Sequence, residues 1–328
     1  MKHFDLVVVG GGHAGSEAAL IASKMGISVA LVSFDLNGIG KMSCNPAIGG
    51  LGKGQLVKEV DALFGQMGLS TDEAGIQFRT LNSSKGAAVQ SSRAQADRDL
   101  YQKSVQRAVE NSPNCQIVEG KAETILVEGG KVVGLLLESG EEISAKTLVI
   151  TTGTFLGGLM HTGEQKTVGG RVGEEASYGL SRSLSTLGFR MGRLKTGTPA
   201  RISLSSIDLS GLLEQPGDTP IKPLSFRTLP FERKQVPCWQ TETNTRTHAL
   251  IAENVHRSPM FNGQINSTGA RYCPSLEDKV FRFKDKQSHN IFFLQMWTLS
   301  SRAWSTTSAQ LQRRASSLPR SWRWVRDA

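Results

Sequence analysis

Two of the four cysteines stand where a thiol could act as a nucleophile. Cys44 lies in the glycine-rich segment 42–54, with Lys53 nearby and a predicted helix beginning just beyond it. A cation and a helix amino terminus both favour the thiolate, which is the nucleophilic form. Cys273 follows the cation Arg271 by two residues. Both cysteines are therefore candidate catalytic residues. The alternatives are inert thiols in the core, or a disulfide between the two.

A strand, a glycine turn and a helix must position these groups. Residues 4–9 form an apolar run short enough for a buried parallel strand, and the next six residues read GGGHAG. In a dinucleotide-binding turn, Gly10 permits the tight turn, Gly12 lets the backbone approach a diphosphate, and Gly15 lets the helix pack closely. A helix over 16–25 and a strand ending at residue 32 complete the unit, and the helix amino terminus would face the diphosphate.

Two polar residues near this turn have open roles. An acidic residue usually ends the second strand of such a unit and binds the ribose hydroxyls. Here that end is Ser33, and Asp35 follows two residues later. Asp35 either fills this role or is a turn residue. His13 either contacts the cofactor or faces solvent, and it is not predicted to be a general base. The motif alone does not separate NAD from FAD.

The composition predicts a soluble protein of two domains, or of one large domain with insertions. A length of 328 residues exceeds that of most single domains. Four cysteines without a C-x-x-C pair or zinc-type spacing favour a reducing compartment. No signal peptide and no apolar run of membrane-spanning length is present in the sequence. We therefore expect a cytoplasmic location, no membrane association and no metal site.

The last part of the chain has a different composition. Residues 293–328 contain six arginines, no lysine, no glycine and four of the five tryptophans. The net charge of +9 therefore comes largely from this segment, and it is weak evidence for nucleic-acid binding. We expect residues 293–328 to be a non-family tail that is disordered or translated out of frame. A shift of the reading frame at the doubled phenylalanine, in the gene or in its sequencing, would explain it.

Further elements follow from periodicity. A helix is predicted over residues 55–64, with Leu56, Val60 and Leu63 on one apolar face. A second helix is predicted over 93–110. Next come a strand over 115–119, a hairpin around the two glycines at 129–130, and a strand over 148–153 that ends in a glycine turn. Residues 154–292 are rich in turns and contain most of the prolines, which predicts an α+β insertion.

Long motifs along the chain resemble one enzyme family. The matching segments run through the first 292 residues: GGGHAG at 10–15, MSCNPAIGGLGKG at 42–54, KEVDALFG at 58–65, RAQADR at 93–98, TTGTFLGG at 151–158, GRLKTGTPAR at 192–201, RSPM at 257–260 and RYCPSLEDKV at 271–280. In these segments the chain resembles the tRNA uridine 5-carboxymethylaminomethyl modification enzymes, the MnmG or GidA family.

The resemblance implies an α/β fold. It consists of a Rossmann-like FAD-binding domain over 1–153, of the two-part glutathione-reductase-like type, and an inserted α+β domain over 154–292 that handles NADH and substrate. It implies Cys44 and Cys273 as the catalytic cysteines. For FAD it implies Gly10, Gly11, Gly12, His13, Ala14, Gly15, Ala122 and Ser177. For the nicotinamide cofactor it implies Gly269, Arg271, Tyr272 and Lys279.

The resemblance also implies a reaction. In this family an aminomethyl or carboxymethylaminomethyl group is added at carbon 5 of the wobble uridine of tRNA. The one-carbon unit comes from a methylene folate, and an MnmE-type GTPase is the partner of a homodimer. Addition of a thiolate at carbon 6 would turn carbon 5, a poor nucleophile, into an enolate that attacks an electrophile. Since the tail replaces family sequence, we expect this chain to be weakly active or inactive.

The residues alone are also compatible with two other functions. One is an NADH-dependent flavoprotein that reduces disulfides, although the lack of a C-x-x-C pair counts against it. The other is a non-catalytic remnant that only binds FAD. Copurification of yellow colour would favour the enzymes over the remnant, and tRNA-dependent activity would separate the two enzymes.

Overall fold

The computed structural model describes residues 2–195, 197, 202–203, 206–265, 268–269 and 275–293. Its central feature is a six-stranded sheet. The strands in chain order are β1 (Lys2–Val9), β2 (Val29–Ser33), β6 (Cys115–Glu119), β7 (Ala122–Glu128), β8 (Lys131–Leu137) and β9 (Glu142–Ile150). In space the order is β6-β2-β1-β9-β8-β7. The first four of these are parallel to one another, and β8 and β7 are antiparallel to their neighbours.

Both faces of the parallel strands are covered, one by two helices and the other by a helix and a β-hairpin. Helix α1 (His13–Lys24) and helix α4 (Arg98–Glu110) lie on one face, where Val8 of β1 packs with Leu20 and Val105. On the other face Val7 packs with Leu180 of helix α5 (Gly179–Thr186) and with the β7–β8 hairpin. The central strands are thus buried on both faces, as parallel strands are. The predicted Rossmann-like α/β fold is confirmed, and β9 returns the chain beside β1 as expected.

A second, antiparallel sheet lies between β2 and α4 in the chain. It consists of β3 (Ala47–Gly49), β5 (Ser91–Ala96) and β4 (Gly75–Leu81), in that spatial order. The helix predicted from residue 93 therefore begins only at Arg98. Ala94 and Ala96 are buried on one side of β5 in a period of two, which a search for apolar runs does not detect. Asp97 ends the strand and caps α4, because its carboxylate accepts hydrogen bonds from two amides of the first turn.

Helix α2 (Gly54–Ala62) forms where predicted, but its apolar face is not the face that is buried. Leu56, Val60 and Leu63 are all exposed, whereas Val57 and Asp61 are buried. The reason is a polar contact that periodicity cannot show. The Asp61 carboxylate accepts hydrogen bonds from the segment 225–227, about 165 residues further along the chain. Helix α3 (Met67–Ala74) follows and holds the same segment through Asp72.

The remaining described elements form small sheets and short helices. The strands are β10 (Leu159–Thr162), β11 (Gln165–Val168), β12 (Leu194–Lys195), β13 (Leu213–Gln215), β14 (Cys238–Glu242), β15 (Thr268–Gly269) and β16 (Asn290–Phe293). The helices are α6 (Thr245–Asn254) and α7 (Leu276–Arg282). Strand pairs are β10–β11 and β12–β15, and β13-β14-β16 form a third sheet. This mixture agrees with an α+β region; its role as an inserted domain stays a prediction.

Segments of this region pack directly on the second sheet. The amides of Asp218 and Val236 donate to the carbonyls of Phe78 and Ile76 in β4. None of the helices in the described ranges combines the length and the hydropathy that crossing a bilayer requires. The predicted tail begins at residue 293, and from residue 294 onward it lies outside the described residues.

Candidate functional site

The glycine turn between β1 and α1 has three different environments. Gly10 has φ +102°, and a Cβ there would lie 2.5 Å from the Thr151 carbonyl oxygen. A Cβ on Gly15 would lie 1.8 Å from the Gly10 carbonyl oxygen. A Cβ on Gly12, in contrast, would meet none of the described residues within 4 Å. The turn is therefore closed at Gly10 and Gly15 and open at Gly12, which is where a diphosphate approaches in dinucleotide-binding folds.

The amino terminus of α1 is free to receive an anion. Gly12 is the N-cap residue, no side chain caps the helix, and its first turn carries no acidic residue. The first amides of a helix have no partner within the helix, and the helix dipole places partial positive charge there. Thr151, after β9, donates to the Val9 and Gly10 carbonyls and fixes the turn against the end of the sheet. These residues fit the diphosphate of a dinucleotide.

The other residues of the turn are partly packed. A Cβ on Gly11 would lie 2.7 Å from Ile39 Cγ1, so this position is also restricted. Ala14 is exposed. His13 faces Tyr101 rather than open solvent, with Nδ1 3.4 Å from the phenol oxygen and the rings in edge contact. Burial, and to a lesser extent the nearby Arg171, lower the pKa of His13. A neutral imidazole is thus the favoured form at neutral pH.

Asp35 acts as a turn residue. Its carboxylate accepts a hydrogen bond from the Asn37 amide, 2.9 Å away, and caps a short 3-10 helix over Leu36–Gly38. It also borders a cleft of about 420 Å³ at the carboxyl end of β2. Ser177 lines the same cleft, and its hydroxyl donates to the Ala122 carbonyl oxygen over 3.4 Å. The structure therefore brings together Ala122 and Ser177, which lie 55 residues apart in the chain.

Cys44 is half-buried in the loop before β3. Its thiol donates to the Gly197 carbonyl oxygen over 3.4 Å. Lys53 is the N-cap residue of α2, and the helix begins at Gly54 as predicted. Whether Lys53 and α2 activate the thiol stays a prediction. The contact with Gly197 joins the loop to the segment after β12.

Arg271, Tyr272 and Cys273 lie outside the described residues, but strand β15 before them and helix α7 after them are described. Gly269 lies in β15, which pairs with Lys195 of β12, and Gly197 follows two residues later. Lys279 lies on α7 next to Asp278, whose carboxylate is 3.9 Å from the Lys195 ammonium. A hydrogen bond thus joins Cys44 to Gly197, and Lys195, two residues before Gly197, pairs with Gly269. Gly269 precedes Cys273 by four residues in the sequence.

Two more cysteines are structural. Cys115 lies in β6, half-buried, and burial raises the pKa of its thiol. Cys238, whose position the sequence did not explain, is buried in β14 and donates to Gln77 Oε1 over 3.1 Å. Burial raises the pKa of the Cys238 thiol, with the hydrogen bond to Gln77 opposing it. Neither group has the setting of a nucleophile. The described residues contain no group of three side chains suited to a metal ion.

A charged cluster near the glycine turn was missed from the sequence. Glu174 binds Lys41 at 2.7 Å and Arg171 at 3.5 Å. The guanidinium of Arg171 also lies over the Phe155 ring, 4.9 Å from its centroid. Lys41 and Glu174 are 133 residues apart, so no local spacing signals their pairing. Lys41, Arg171 and Glu174 thus place two cations and one carboxylate beside the amino terminus of α1, whose first residue is His13.

Comparison with known proteins gives consistent matches. The family model described as glucose inhibited division protein A (GIDA) matches residues 5–313, and so extends into the segment expected to be a non-family tail. GidA of Aquifex aeolicus, in its form I crystal, has 45% sequence identity and a TM-score of 0.85, with 91% of this chain and 51% of that chain covered. The form II crystal gives 44% identity, a TM-score of 0.83, and coverage of 91% and 49%.

This chain spans about half the length of the Aquifex aeolicus GidA chains. The family match covers most of its residues, including the glycine turn, the Cys44 loop and the segment leading to Cys273. The chain belongs to the GidA family.

Proposed function

We propose that this chain carries the FAD-binding and thiol-bearing part of an enzyme that modifies the wobble uridine of tRNA. The observation that carries the proposal is the joint presence, in a GidA-family chain, of a glycine turn open only at Gly12 and a half-buried Cys44 in the loop after β2. The product would carry an aminomethyl or carboxymethylaminomethyl group at carbon 5.

FAD would bind at the carboxyl ends of β1 and β2. Its diphosphate would receive hydrogen bonds from the free amides of α1, over the open position at Gly12. Ser177 borders the cleft near β2 and donates to the Ala122 carbonyl oxygen, and both residues would contact the nucleotide end. When bound, FAD supplies electron transfer from NADH. The open question is which group binds the ribose, because the Asp35 carboxylate already caps a turn.

Cys44 would start the reaction on the uracil ring. A bond forms between its sulfur and carbon 6, and the electrons of the 5,6 double bond move to the oxygen on carbon 4. Carbon 5 would then attack the methylene carbon of the folate-derived one-carbon unit as one of the two bonds from that carbon to folate nitrogens breaks. Loss of the carbon 5 proton would expel the folate through the second of these bonds and leave an exocyclic methylene group. An amine would add to this methylene group, and expulsion of the Cys44 thiolate would then restore the 5,6 double bond. Half-burial of Cys44 keeps the thiolate accessible to a flipped base while shielding it from bulk water.

The second cofactor and the partners rest on the same proposal. NADH would bind along β15 and α7, with contributions from Gly269, Arg271, Tyr272 and Lys279. The pairing of β15 with β12 supports this, because it brings that segment toward the Gly197 contact of Cys44. Cys273 would act as the second catalytic cysteine. The working unit would be a cytoplasmic homodimer with an MnmE-type GTPase and a methylene folate.

Exchange of the carbon 5 hydrogen tests the thiolate step without needing the later chemistry. The purified chain is incubated with tRNA that carries tritium at carbon 5 of the wobble uridine. Reversible addition at carbon 6 lets water protonate carbon 5, so tritium is released to solvent. Release should be lost in Cys44→Ser and retained in Cys115→Ser, the matched control. Equal release by the Cys44→Ser variant, or none from the unaltered chain, contradicts the proposal.

A further inference from the structure

The second sheet has one polar face. In the register of β4 and β5, Gln77 pairs with Gln95 and Arg79 pairs with Arg93. Directly paired residues on antiparallel strands point to the same side of a sheet. The alternate positions, Phe78 and Ala94, are buried in the main core. The two glutamines and two arginines therefore share the face opposite to that core, and we call them the polar face.

The β4 residues of the polar face have hydrogen-bond and ion-pair partners within the protein. Gln77 donates to the Gln215 carbonyl oxygen over 2.8 Å and accepts from the Cys238 thiol. Arg79 donates to Gln215 Oε1 and lies 3.9 Å from the Asp218 carboxylate. Strands β13 and β14 thus cover the β4 side of the polar face. The β5 side is different.

Gln95 carries the unusual feature. Its side chain is only 5% exposed, yet its Oε1 has no hydrogen-bond partner among the described residues. A buried acceptor without a donor destabilises a fold, and such groups are uncommon in folded proteins. A ligand that brings an N–H donor would satisfy this oxygen. Because the Gln95 carboxamide is planar, the ligand must present a flat edge to it.

The position of Gln95 relates it to Cys44. Ala47 of β3 is the register partner of Gln95, and the Ala96 amide donates to the Pro46 carbonyl oxygen over 2.8 Å. Ala47 follows Cys44 by three residues, which span at most about 11 Å. As the directly paired residue, Ala47 places only a methyl group on the side of the sheet to which Gln95 points.

We infer that the Gln95 carboxamide binds the imide edge of a pyrimidine-type ring, that is, an N–H between two carbonyl groups. Oε1 would accept from the imide N–H, and Nε2 would donate to a flanking carbonyl oxygen. The positive charge of Arg93 and Arg79 would favour negative charge on such an oxygen. Because both uracil and the flavin ring present this edge, the source is either the substrate base or FAD. The inference rests on the proposed function.

Ring methylation tests it directly, because a methyl group on nitrogen 3 removes the N–H and leaves both carbonyls. The 328-residue chain is titrated with FAD and 3-methyl-FAD in one arm, and with uridine 5′-monophosphate and 3-methyluridine 5′-monophosphate in the other. In at least one arm the unmethylated ligand should bind about ten-fold more tightly, the size of one good hydrogen bond. The arm that shows the preference identifies the source.

The variants assign the preference to Gln95. Gln95→Met keeps the side-chain length, removes both polar atoms and should abolish the preference. Gln116→Leu, at an exposed glutamine in β6, is the matched control and should keep it. Gln95→Glu retains an acceptor and should also keep the preference for the unmethylated ligand. If Gln95→Met does not fold, the result with Gln95→Glu decides the assignment to Gln95.

Each remaining outcome is informative. Binding in both arms without any preference for the unmethylated ring overturns the Gln95 assignment and leaves the proposed function standing. A preference that survives in Gln95→Met, or is lost in Gln95→Glu, overturns it as well. Absence of binding to all four ligands contradicts both the assignment and the proposed function.

Discussion

Substitution of Gly12 should separate FAD binding from folding. The backbone at Gly12 has φ −69° and ψ −171°, which any residue can adopt, and an added Cβ meets nothing within 4 Å. Gly12→Val should therefore change the free energy of unfolding of the cofactor-free protein by about 1 kcal/mol or less, the scale of an N-cap change. Its methyl groups would occupy the space that a diphosphate needs.

The effect on binding should be much larger. Moving the diphosphate away from α1 would lose about two charge-assisted hydrogen bonds, each worth about 1.5–3 kcal/mol. The sum of about 3 kcal/mol or more corresponds to a loss of at least about 100-fold in FAD affinity. Quenching of flavin fluorescence on titration measures this affinity, and thermal unfolding followed by circular dichroism measures stability.

Gly15→Ala is the matched control in the same turn. Its Cβ would lie 1.8 Å from the Gly10 carbonyl oxygen, so the helix must move away from the strand. We expect a loss of stability of about 2 kcal/mol or more, even though alanine favours helices. The reasoning is refuted if Gly12→Val binds FAD with unchanged affinity, or if it unfolds the apo protein as readily as Gly15→Ala does.

Three further predictions concern other residues of the chain. Iodoacetamide should alkylate Cys44 at least about ten-fold faster than Cys238, because Cys238 is buried and its pKa is raised; mass spectrometry of the labelled peptides would show equal rates if this is wrong. Burial lowers the pKa of His13, so its contribution to stability is complete above its ordinary value of 6.5 and is lost as the pH falls below it; melting temperatures of the apo protein from pH 7.5 to 5 should fall less in His13→Gln, and identical slopes would contradict this. Arg227→Ala should lower the free energy of unfolding by about 2 kcal/mol, because the fully buried Asp61 carboxylate loses its cation but keeps the bonds from Ser225 and Phe226; urea unfolding would show no change if the pair contributes nothing.

The parts of the fold that the sequence predicted are the local ones. The turn from Gly10 to Gly15 depends on backbone geometry within a few residues, and glycine is required there by contacts that the structure confirms. The strands of the main sheet are apolar runs because both their faces are covered. The hairpin at 129–130 needs two residues of positive φ, which glycine supplies.

The parts that the sequence did not predict depend on distant partners. The inward face of α2 is set by Asp61 and its bonds to residues 225–227, so the apolar residues of that helix point outward. The sequence predicts a helix from residue 93, where the structure has strand β5, because the polar face of this strand, including Gln95, interrupts the apolar pattern. A polar residue buried against another sheet cannot be distinguished, in the sequence, from one exposed to water.

The same limit applies to the candidate site. Gly10, Gly12 and Gly15 follow from spacing, whereas the charged cluster of Lys41 and Glu174 unites residues 133 apart. Ala122 and Ser177 came from the family resemblance alone, and the structure places them in contact. Contact between two residues does not establish what they bind, so their role in holding FAD remains a proposal.

The absorbance spectrum of the purified chain shows whether the glycine turn binds FAD. Protein incubated with FAD and then passed through a desalting column should keep the visible bands of bound flavin. Gly12→Val treated in the same way should be colourless while having the same circular dichroism spectrum. A folded, unaltered chain that shows no flavin bands after this treatment would contradict the claim that the glycine turn binds FAD.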